Sequence, residues 1–227
     1  MKVLLILLGL IVVALGFATW RYREQATTAG TRADSLAFAD SVLHARNAAL
    51  AAALDTQLTT ASRQKEAELA TLRTTYDQLV RDMQTEIAQG QVQITRLADR
   101  LNVSLVDRIL FPSGEAEITP AGYRILRRVG DLLKATEGKI IRVEGHTDNV
   151  AISERLQQAF PSNWELSTAR ATNVVRFLQD SVGIDPTRLQ AVGLSQFHPV
   201  ATNETVQGRS QNRRIEIALL PMDMGSE

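Results

Sequence analysis

An acidic and a basic residue lie where a strand is predicted to end and where a helix is predicted to begin. Asp148 belongs to the stretch Gly145-His146-Thr147-Asp148-Asn149, which follows the alternating apolar run Ile140–Glu144. Arg170 closes the stretch 163–170, which opens an amphipathic helix. Strand ends and helix starts commonly bind ligands, because backbone N–H groups and side chains converge there. An aspartate accepts hydrogen bonds from an ammonium, and a guanidinium binds a carboxylate in a fork. The pair therefore predicts a site for a ligand that carries both groups, unless the two side chains simply pair with each other.

The elements that position these residues follow from the change of periodicity after Leu105. Strands are predicted at Val106–Phe111, Ile140–Glu144, Arg188–Gly193 and Arg214–Leu220, separated by Gly- and Pro-containing turns. Thr119 and Pro120 start one helix that runs through Lys134, and Ser162 or Asn163 caps a second that ends near Gly183. The order β-α-β-α-β-β predicts an α+β fold, with a mixed sheet and helices on one face.

A long helical segment precedes this domain. Between Ala26 and Asn102 there is no proline, and leucines recur at seven-residue spacing at Leu36, Leu43 and Leu50. From 69 to 87 apolar residues step by three or four, which is the a/d pattern of a coiled coil. If helical throughout, the segment would extend about 110 Å. A generic helical spacer, a parallel homodimeric coiled coil and a disordered linker all remain open.

The N-terminus carries a run that predicts a membrane anchor. Val3 to Trp20 contains 18 consecutive residues without a charge. A helix of that length spans roughly 27 Å, which is close to the thickness of a hydrocarbon core. Lys2 precedes it, Arg21 and Arg23 follow it, and Trp20 and Tyr22 suit the membrane interface. A cleaved signal peptide is the alternative, although no clear cleavage site follows the run. Because the run holds no ionisable residue, we expect it to anchor rather than to conduct ions.

The composition excludes several functional classes. Lys and Arg total 25 and Asp and Glu total 25, so the chain lacks the basic surface of a nucleic-acid-binding protein. It contains no cysteine, which rules out disulfides, thiolate metal sites and a lipidated cysteine. Its three histidines lie far apart, which argues against a metal centre. A hydrolase built on His146, Asp148 and Ser153 or Ser167 lacks a nucleophile-elbow motif, and His146 is expected to be a hydrogen-bonded structural residue. We therefore predict no enzymatic activity, no metal and no cofactor.

Five stretches of the C-terminal part, in order, resemble the OmpA-like peptidoglycan-binding domain. They are Leu110-Phe111-Pro112-Ser113-Gly114, Gly145-His146-Thr147-Asp148-Asn149, Asn163-x-x-Leu166-Ser167-x-x-Arg170-Ala171, Arg188-Leu189-x-Ala191-x-Gly193 and Gly208-Arg209-x-x-Asn212-Arg213-Arg214-Ile215-Glu216-Ile217. The stretch Phe160–Ser167 is most similar to the branch found in MotB-like motor and stator proteins. The resemblance covers roughly residues 105–221.

The resemblance implies noncovalent binding of peptidoglycan through the diaminopimelate of its stem peptide. In that family the Asp and the Arg that correspond to Asp148 and Arg170 contact the amine and the carboxylate of this amino acid. The resemblance also places Asn163 and Arg213 in the pocket, with Thr147 and Asn149 beside it. Trp164 and Phe160 are interpreted as packing residues.

The sequence is thus divided into a signal-anchor (1–23), a helical or coiled-coil spacer (24–104), a peptidoglycan-binding domain (105–221) and a tail (222–227). The predicted function is to tether the inner membrane, or a membrane complex, to the cell wall, with a single membrane pass and the C-terminal domain in the periplasm. A MotB-like stator or transporter component with an ion-conducting partner is the alternative. The uncharged span departs from the MotB-like pattern, in which the membrane helix carries an acid.

Overall fold

A computed structural model of the chain describes residues 2–97, 99–136 and 138–222, with side chains described from residue 8 onward. The chain divides into two units, residues 1–64 and 65–227. Helix α1 (Lys2–Asp82) begins in the first unit and ends in the second. The predicted tail lies outside the described residues except for Met222. Residues 3–7 of the predicted anchor likewise lie outside the described side chains.

The first unit consists of α1 alone. Its apolar side chains are largely exposed, including Leu36, Leu43 and Leu50 at 70%, 58% and 69%. Within the described residues, no helix is long and apolar enough to cross a membrane. The predicted anchor is therefore not shown by the structure, and the coiled coil of this segment stays a prediction.

The second unit is built on a five-stranded mixed sheet in the order β1-β2-β5-β3-β4. Its strands are β1 (Val92–Leu97), β2 (Arg100–Val106), β3 (Lys139–His146), β4 (Leu189–Gly193) and β5 (Arg214–Pro221). Strands β3 and β4 pair in parallel, and the other neighbours are antiparallel. The predicted α+β fold with a mixed sheet is confirmed.

The other helices of this unit are α2 (Gln84–Ala88), α3 (Asp107–Leu110), α4 (Pro120–Lys134), α5 (Glu154–Gln157), α6 (Asn163–Phe177) and α7 (Val206–Asn212). Thr119 caps α4 by accepting a hydrogen bond from the Gly122 amide at 2.9 Å. Ser162 caps α6 and forms a capping box with Glu165. Both caps are as predicted. A π-helical turn at Leu178–Val182 and a 3-10 turn at Pro186–Arg188 connect α6 to β4.

Two predictions for the start of this domain are wrong: the first strand, and the residue at which the helical spacer ends. The helix ends at Asp82, and residues from 92 onward form the hairpin β1–β2, which was assigned to the helical spacer. Residues 107–110, predicted as strand, form the short helix α3. The alternation in β2 is clear, since Leu101, Val103 and Leu105 are buried with exposed or half-buried residues between them. Ile94, Leu97 and Leu101 step by three and four, which also fits a helical period, and for that reason the sequence pattern does not reveal the hairpin.

The apolar stripe from 69 to 87 packs inside its own domain. Leu72, Leu79 and Met83 are at most 2% exposed and belong to the core cluster that includes the sheet residues Val92, Val103 and Ile217. At the surface of this helix, Glu68 pairs with the nearly buried Lys139 of β3, and Arg128 of α4 donates to the Asp82 carbonyl at 2.9 Å. The coiled-coil interpretation of residues 69–87 is therefore wrong, because these side chains are already covered by the sheet and α4.

We expect Leu79→Ala to destabilise the second unit by about 2–5 kcal/mol, because it empties a fully buried site. The matched substitution Leu58→Ala removes a 62%-exposed leucine of the same helix and should change the free energy of unfolding little. Urea unfolding of both full-length variants, followed by circular dichroism, makes the comparison. If both substitutions changed the free energy of unfolding by the same small amount, the assignment of residues 65–83 to this domain would be contradicted.

Candidate functional site

The site forms where β3 and β4 meet the start of α6. After β3, the Thr147 amide donates to the Ser195 carbonyl at 2.9 Å, and the Leu194 amide donates to the Gly145 carbonyl at 2.9 Å. These bonds hold the two loops together beyond the parallel strands. Asp148 follows directly and is only 6% exposed.

Two glycines let α6 approach the strands closely. A Cβ on Gly145 would lie 2.2 Å from the Ser167 carbonyl oxygen, and one on Gly193 would lie 2.0 Å from Thr168 Oγ1. Either contact is far below van der Waals distance, so a side chain here would push the helix outward. The same close approach allows the Ser167 hydroxyl to accept a hydrogen bond from the Ser195 amide at 3.1 Å. The glycines therefore set the depth at which Asn163 and Arg170 enter the site.

Asp148 is held by groups on three sides. Its Oδ1 accepts a hydrogen bond from the Val150 amide at 3.1 Å, and its Oδ2 pairs with Arg213 Nη1. Asn163 Nδ2 donates to the Asp148 carbonyl at 3.3 Å and to the Val150 carbonyl at 3.0 Å. The structure thus brings together Asp148, Asn163 and Arg213, three of the residues that the resemblance places in one pocket.

Arg170 has a different partner from the one that the sequence suggested. Its Nη1 lies 2.9 Å from Asp107 Oδ1, its Nε donates to the Glu115 carbonyl at 2.8 Å, and its guanidinium carbon lies 5.1 Å from the centre of the Phe111 ring. The alternative in which Asp148 and Arg170 pair with each other is not what the structure shows. Among the described residues, Arg170 Nη2 has no hydrogen-bond partner. The guanidinium is therefore fixed by an ion pair, a hydrogen bond and an aromatic ring, and one of its nitrogens remains.

Asp107 is the site residue that sequence analysis missed. The sequence pattern predicts Asp107 inside a strand. In the structure it is the first residue of α3 and is 6% exposed. Its amide donates to the Arg213 carbonyl at 3.0 Å, which joins it to the residue that forms the other ion pair. The available signal was an acidic residue directly after the apolar pair Leu105-Val106, since such a residue needs a partner when it is buried.

The two ion pairs form one electrostatic cluster. Burial raises the pKa of Asp107 to about 6, against the opposing attraction of Arg170 and, more weakly, Arg213. Burial also lowers the pKa of Arg170, while Asp107 and Asp148 oppose that change. Two carboxylates and two guanidinium groups balance to zero formal charge. A ligand that also carries one charge of each sign can bind here without leaving a net buried charge.

Thr147 and Asn149 flank Asp148 in different ways. Thr147 is 4% exposed, and its hydroxyl donates to the Asp148 carbonyl at 3.0 Å. It stabilises the loop from inside. Asn149 is exposed and so is open to a ligand.

His146 lies on the other side of β3, next to two acidic residues. Its Nε2 is 3.8 Å from Glu144 Oε2 and 4.0 Å from Glu216 Oε1. Neither ring nitrogen has a hydrogen-bond partner among the described residues, contrary to the expected hydrogen-bonded histidine. Among the described residues, Glu144, His146 and Glu216 form the group whose possible ligand atoms lie close enough together to hold a metal ion. Glu216 already accepts hydrogen bonds from Arg214 Nε and Asn102 Nδ2, both at 2.6 Å, so a cation would have to compete with an arginine.

We expect the Asp107 carboxyl group to titrate near pH 6. Its folded pKa lies above the ordinary unfolded value of about 4, so the folded state binds the proton more tightly. The contribution of this group to stability is complete below about pH 4 and is lost as the pH rises through 6. NMR titration of the Asp107 carboxyl carbon, with Asp107→Asn to assign the signal, measures the midpoint. A midpoint near 4 would show that Arg170 outweighs burial.

The sequence pattern of the OmpA family matches residues 110–213. Motility protein B of Bacillus subtilis is 32% identical over 154 residues, which are 68% of this chain and 57% of that protein. The peptidoglycan-binding protein ArfA of Mycobacterium bovis is 36% identical over 123 residues, which are 54% of this chain and 35% of that protein. The chain therefore spans little more than half of the first relative and about a third of the second.

Solved structures agree with these matches. A putative MotB like protein from Desulfovibrio vulgaris superposes with a TM-score of 0.62 at 27% identity, over 72% of this chain and 99% of that one. The cell wall anchor of the T6SS from Pseudomonas aeruginosa superposes with a TM-score of 0.57 at 35% identity, over 63% of this chain and 97% of that one. The C-terminal part of this chain is an OmpA-family domain, and its relatives and structural neighbours include MotB-like proteins.

Proposed function

We propose that the chain binds peptidoglycan noncovalently, by gripping the zwitterionic end of diaminopimelate in the stem peptide. The observation that carries the proposal is the neutral cluster of two neighbouring ion pairs, Asp107–Arg170 and Asp148–Arg213, at the junction of β3, β5 and α6. Asp148 would accept hydrogen bonds from the ligand ammonium, and Arg170 would donate to its carboxylate. The names of two relatives support this assignment, since one is a peptidoglycan-binding protein and another is a cell wall anchor.

The arrangement of hydrogen bonds supports specific roles for the four charged side chains. Asp107 and the Glu115 carbonyl orient the Arg170 guanidinium, whose Nη2 can then meet a carboxylate. Arg213 is the most accessible of the four, with 37% of its side chain exposed. It can therefore swing away from Asp148 when an ammonium arrives. Asn163 keeps the Asp148 loop in place during this exchange.

The ligand should lose affinity when either of its charged groups is removed. A stem peptide with lysine in place of diaminopimelate keeps the ammonium but lacks the carboxylate. Because a hydrogen bond to a charged group contributes about 1.5–3 kcal/mol, we expect the lysine peptide to bind roughly 10–100-fold more weakly. Isothermal titration of the full-length protein with both peptides gives the ratio.

The variants Asp148→Asn and Arg170→Lys should weaken binding of the diaminopimelate peptide, and Arg170→Lys should also reduce discrimination against lysine. Asp180→Asn and Arg176→Ala, which change exposed charges of the same helical region, serve as matched controls. Thermal unfolding verifies that each variant is folded. Wild-type retention of a folded Asp148→Asn and Arg170→Lys pair on purified sacculi would refute this pocket.

We further propose that the N-terminal segment anchors the protein in the inner membrane, with the C-terminal domain in the periplasm. The uncharged run Val3–Trp20, flanked by basic and aromatic residues, supports this. With this run as the anchor and the rest of α1 as the spacer, the protein would be a non-catalytic tether between membrane and wall. The exposed leucines Leu36, Leu43 and Leu50 further favour a homodimer through a coiled coil.

An anchored protein should stay in the membrane pellet after alkaline carbonate extraction. A variant that lacks residues 3–20 should be released, and it serves as the matched control. Release of the full-length protein would instead indicate a cleaved signal peptide.

A MotB-like stator or transporter component is the second candidate, favoured by the similarity to Motility protein B. In that case an ion-conducting inner-membrane partner would supply the acid that Val3–Trp20 lacks. Co-purification from gently solubilised membranes, followed by mass spectrometry, distinguishes the two. Recovery of a partner with an intramembrane carboxylate favours the stator, and recovery of the homodimer alone favours the simple tether.

A further inference from the structure

Two exposed aromatic side chains lie together beside the candidate site. Trp164 is the second residue of α6, and Phe197 follows β4. Their ring centres are 5.4 Å apart, with an angle of 31° between the planes. Trp164 is 47% exposed and Phe197 is 60% exposed. The sequence interpretation of Trp164 as a packing residue is therefore incomplete, because the indole presents much of its surface to solvent.

These rings border a groove of about 260 Å³ that contains no charged side chain. Its polar groups are neutral and come from Gln157, Ser162, Asn163, Ser195 and Gln196. Apolar surface with a few neutral hydrogen-bonding groups is the usual composition of a site for an uncharged polar ligand. The small volume suits a single ring rather than an extended chain.

The groove is continuous with the charged site through Asn163. The Asn163 Nδ2 group donates to the Asp148 carbonyl at 3.3 Å and also to Gln196 Oε1 at 3.1 Å. One side chain thus borders the groove and supports the loop that carries the acid. A ligand that fills the charged site can therefore reach the aromatic pair without leaving the surface.

The insertion between β3 and α6 provides the opposite side of the groove. Ala151, Ile152 and Gln157 lie in this segment, and Gln157 Nε2 donates to the Ile152 carbonyl at 3.3 Å. The segment also supports the charged site, since the Val150 carbonyl accepts from Asn163. The insertion thereby acquires a role that its sequence alone does not suggest.

We infer that Trp164 and Phe197 form a stacking platform for an N-acetylated sugar ring of the peptidoglycan glycan strand. This rests on the proposed function, in which the neighbouring site holds the stem peptide of the same polymer. The C–H face of a pyranose ring is apolar and matches the negative face of an aromatic ring, while its hydroxyl and acetamide groups need neutral donors and acceptors. Gln157, Gln196 and Asn163 provide those groups. An N-acetylglucosamine ring carries no charge, which agrees with the uncharged groove.

The test compares two ligands on the full-length protein. One is the free stem peptide that contains diaminopimelate, and the other is the same peptide attached to its disaccharide. We expect Trp164→Ala to weaken binding of the disaccharide-peptide about fivefold to tenfold, and binding of the free peptide less than twofold. Trp164→Phe should restore most of the loss. Phe197→Ala should have the same selectivity as Trp164→Ala.

Tyr123→Ala is the matched control, because Tyr123 is also partly exposed, at 41%, and belongs to another tilted aromatic pair. Thermal unfolding confirms that each variant is folded. An equal effect of Trp164→Ala on both ligands, or no effect on either, would overturn the platform.

The outcome also separates the platform from the proposed stem-peptide site. Short oligomers of N-acetylglucosamine, which are uncharged, provide the third ligand. If the free stem peptide does not bind while Trp164→Ala abolishes binding of these oligomers, the proposed charged site fails and the platform stands. If the stem peptide binds and Trp164→Ala leaves the disaccharide-peptide unaffected, the platform fails and the charged site stands.

Discussion

The close approach of α6 to the parallel strands β3 and β4 is the constraint on which the site depends. Gly145 and Gly193 have no side chain where the backbone of Ser167 and Thr168 passes. This packing brings the N-terminus of α6, with Asn163, to the end of β3. It also places Arg170 against Asp107, the first residue of α3. Without it, the loop with Asp148 and the helix with Arg170 would not share one cluster of charges.

Removing the two ion pairs from water costs free energy, and for that reason their formal charges sum to zero. Each charge has an opposite partner, and burial still raises the pKa of Asp107 well above its usual range. Such a cluster contributes little to stability compared with an apolar core of the same volume. In the proposed function it would provide a preorganised pair of groups that differ in sign, one of which would exchange its partner for a ligand. The uncharged groove beside it extends the same surface with aromatic and amide groups.

The end of α1 links this binding domain to the segment before it. Because Leu72, Leu79 and Met83 are core residues, the domain begins near residue 65 rather than at Leu105. The helix therefore enters the fold directly, through buried side chains and the Glu68–Lys139 ion pair.

The sequence by itself determined the local elements. Thr119 caps its helix as predicted, Ser162 is one of the two caps predicted for α6, and β3 and β5 were predicted to within two residues at each end. These features depend on near neighbours in the chain, where spacing and residue type are sufficient. Asp148, Asn163 and Arg213 come from distant parts of the chain, and it was the resemblance to a family, not local spacing, that placed them together. Tertiary structure decided the rest. The a/d stripe of residues 69–87 fits an intermolecular coiled coil and a core-facing helix equally well, and only the sheet that covers it distinguishes them. Likewise Arg170 pairs with Asp107 instead of Asp148, because contacts between residues 63 positions apart depend on how strands and helices pack, which no local pattern records.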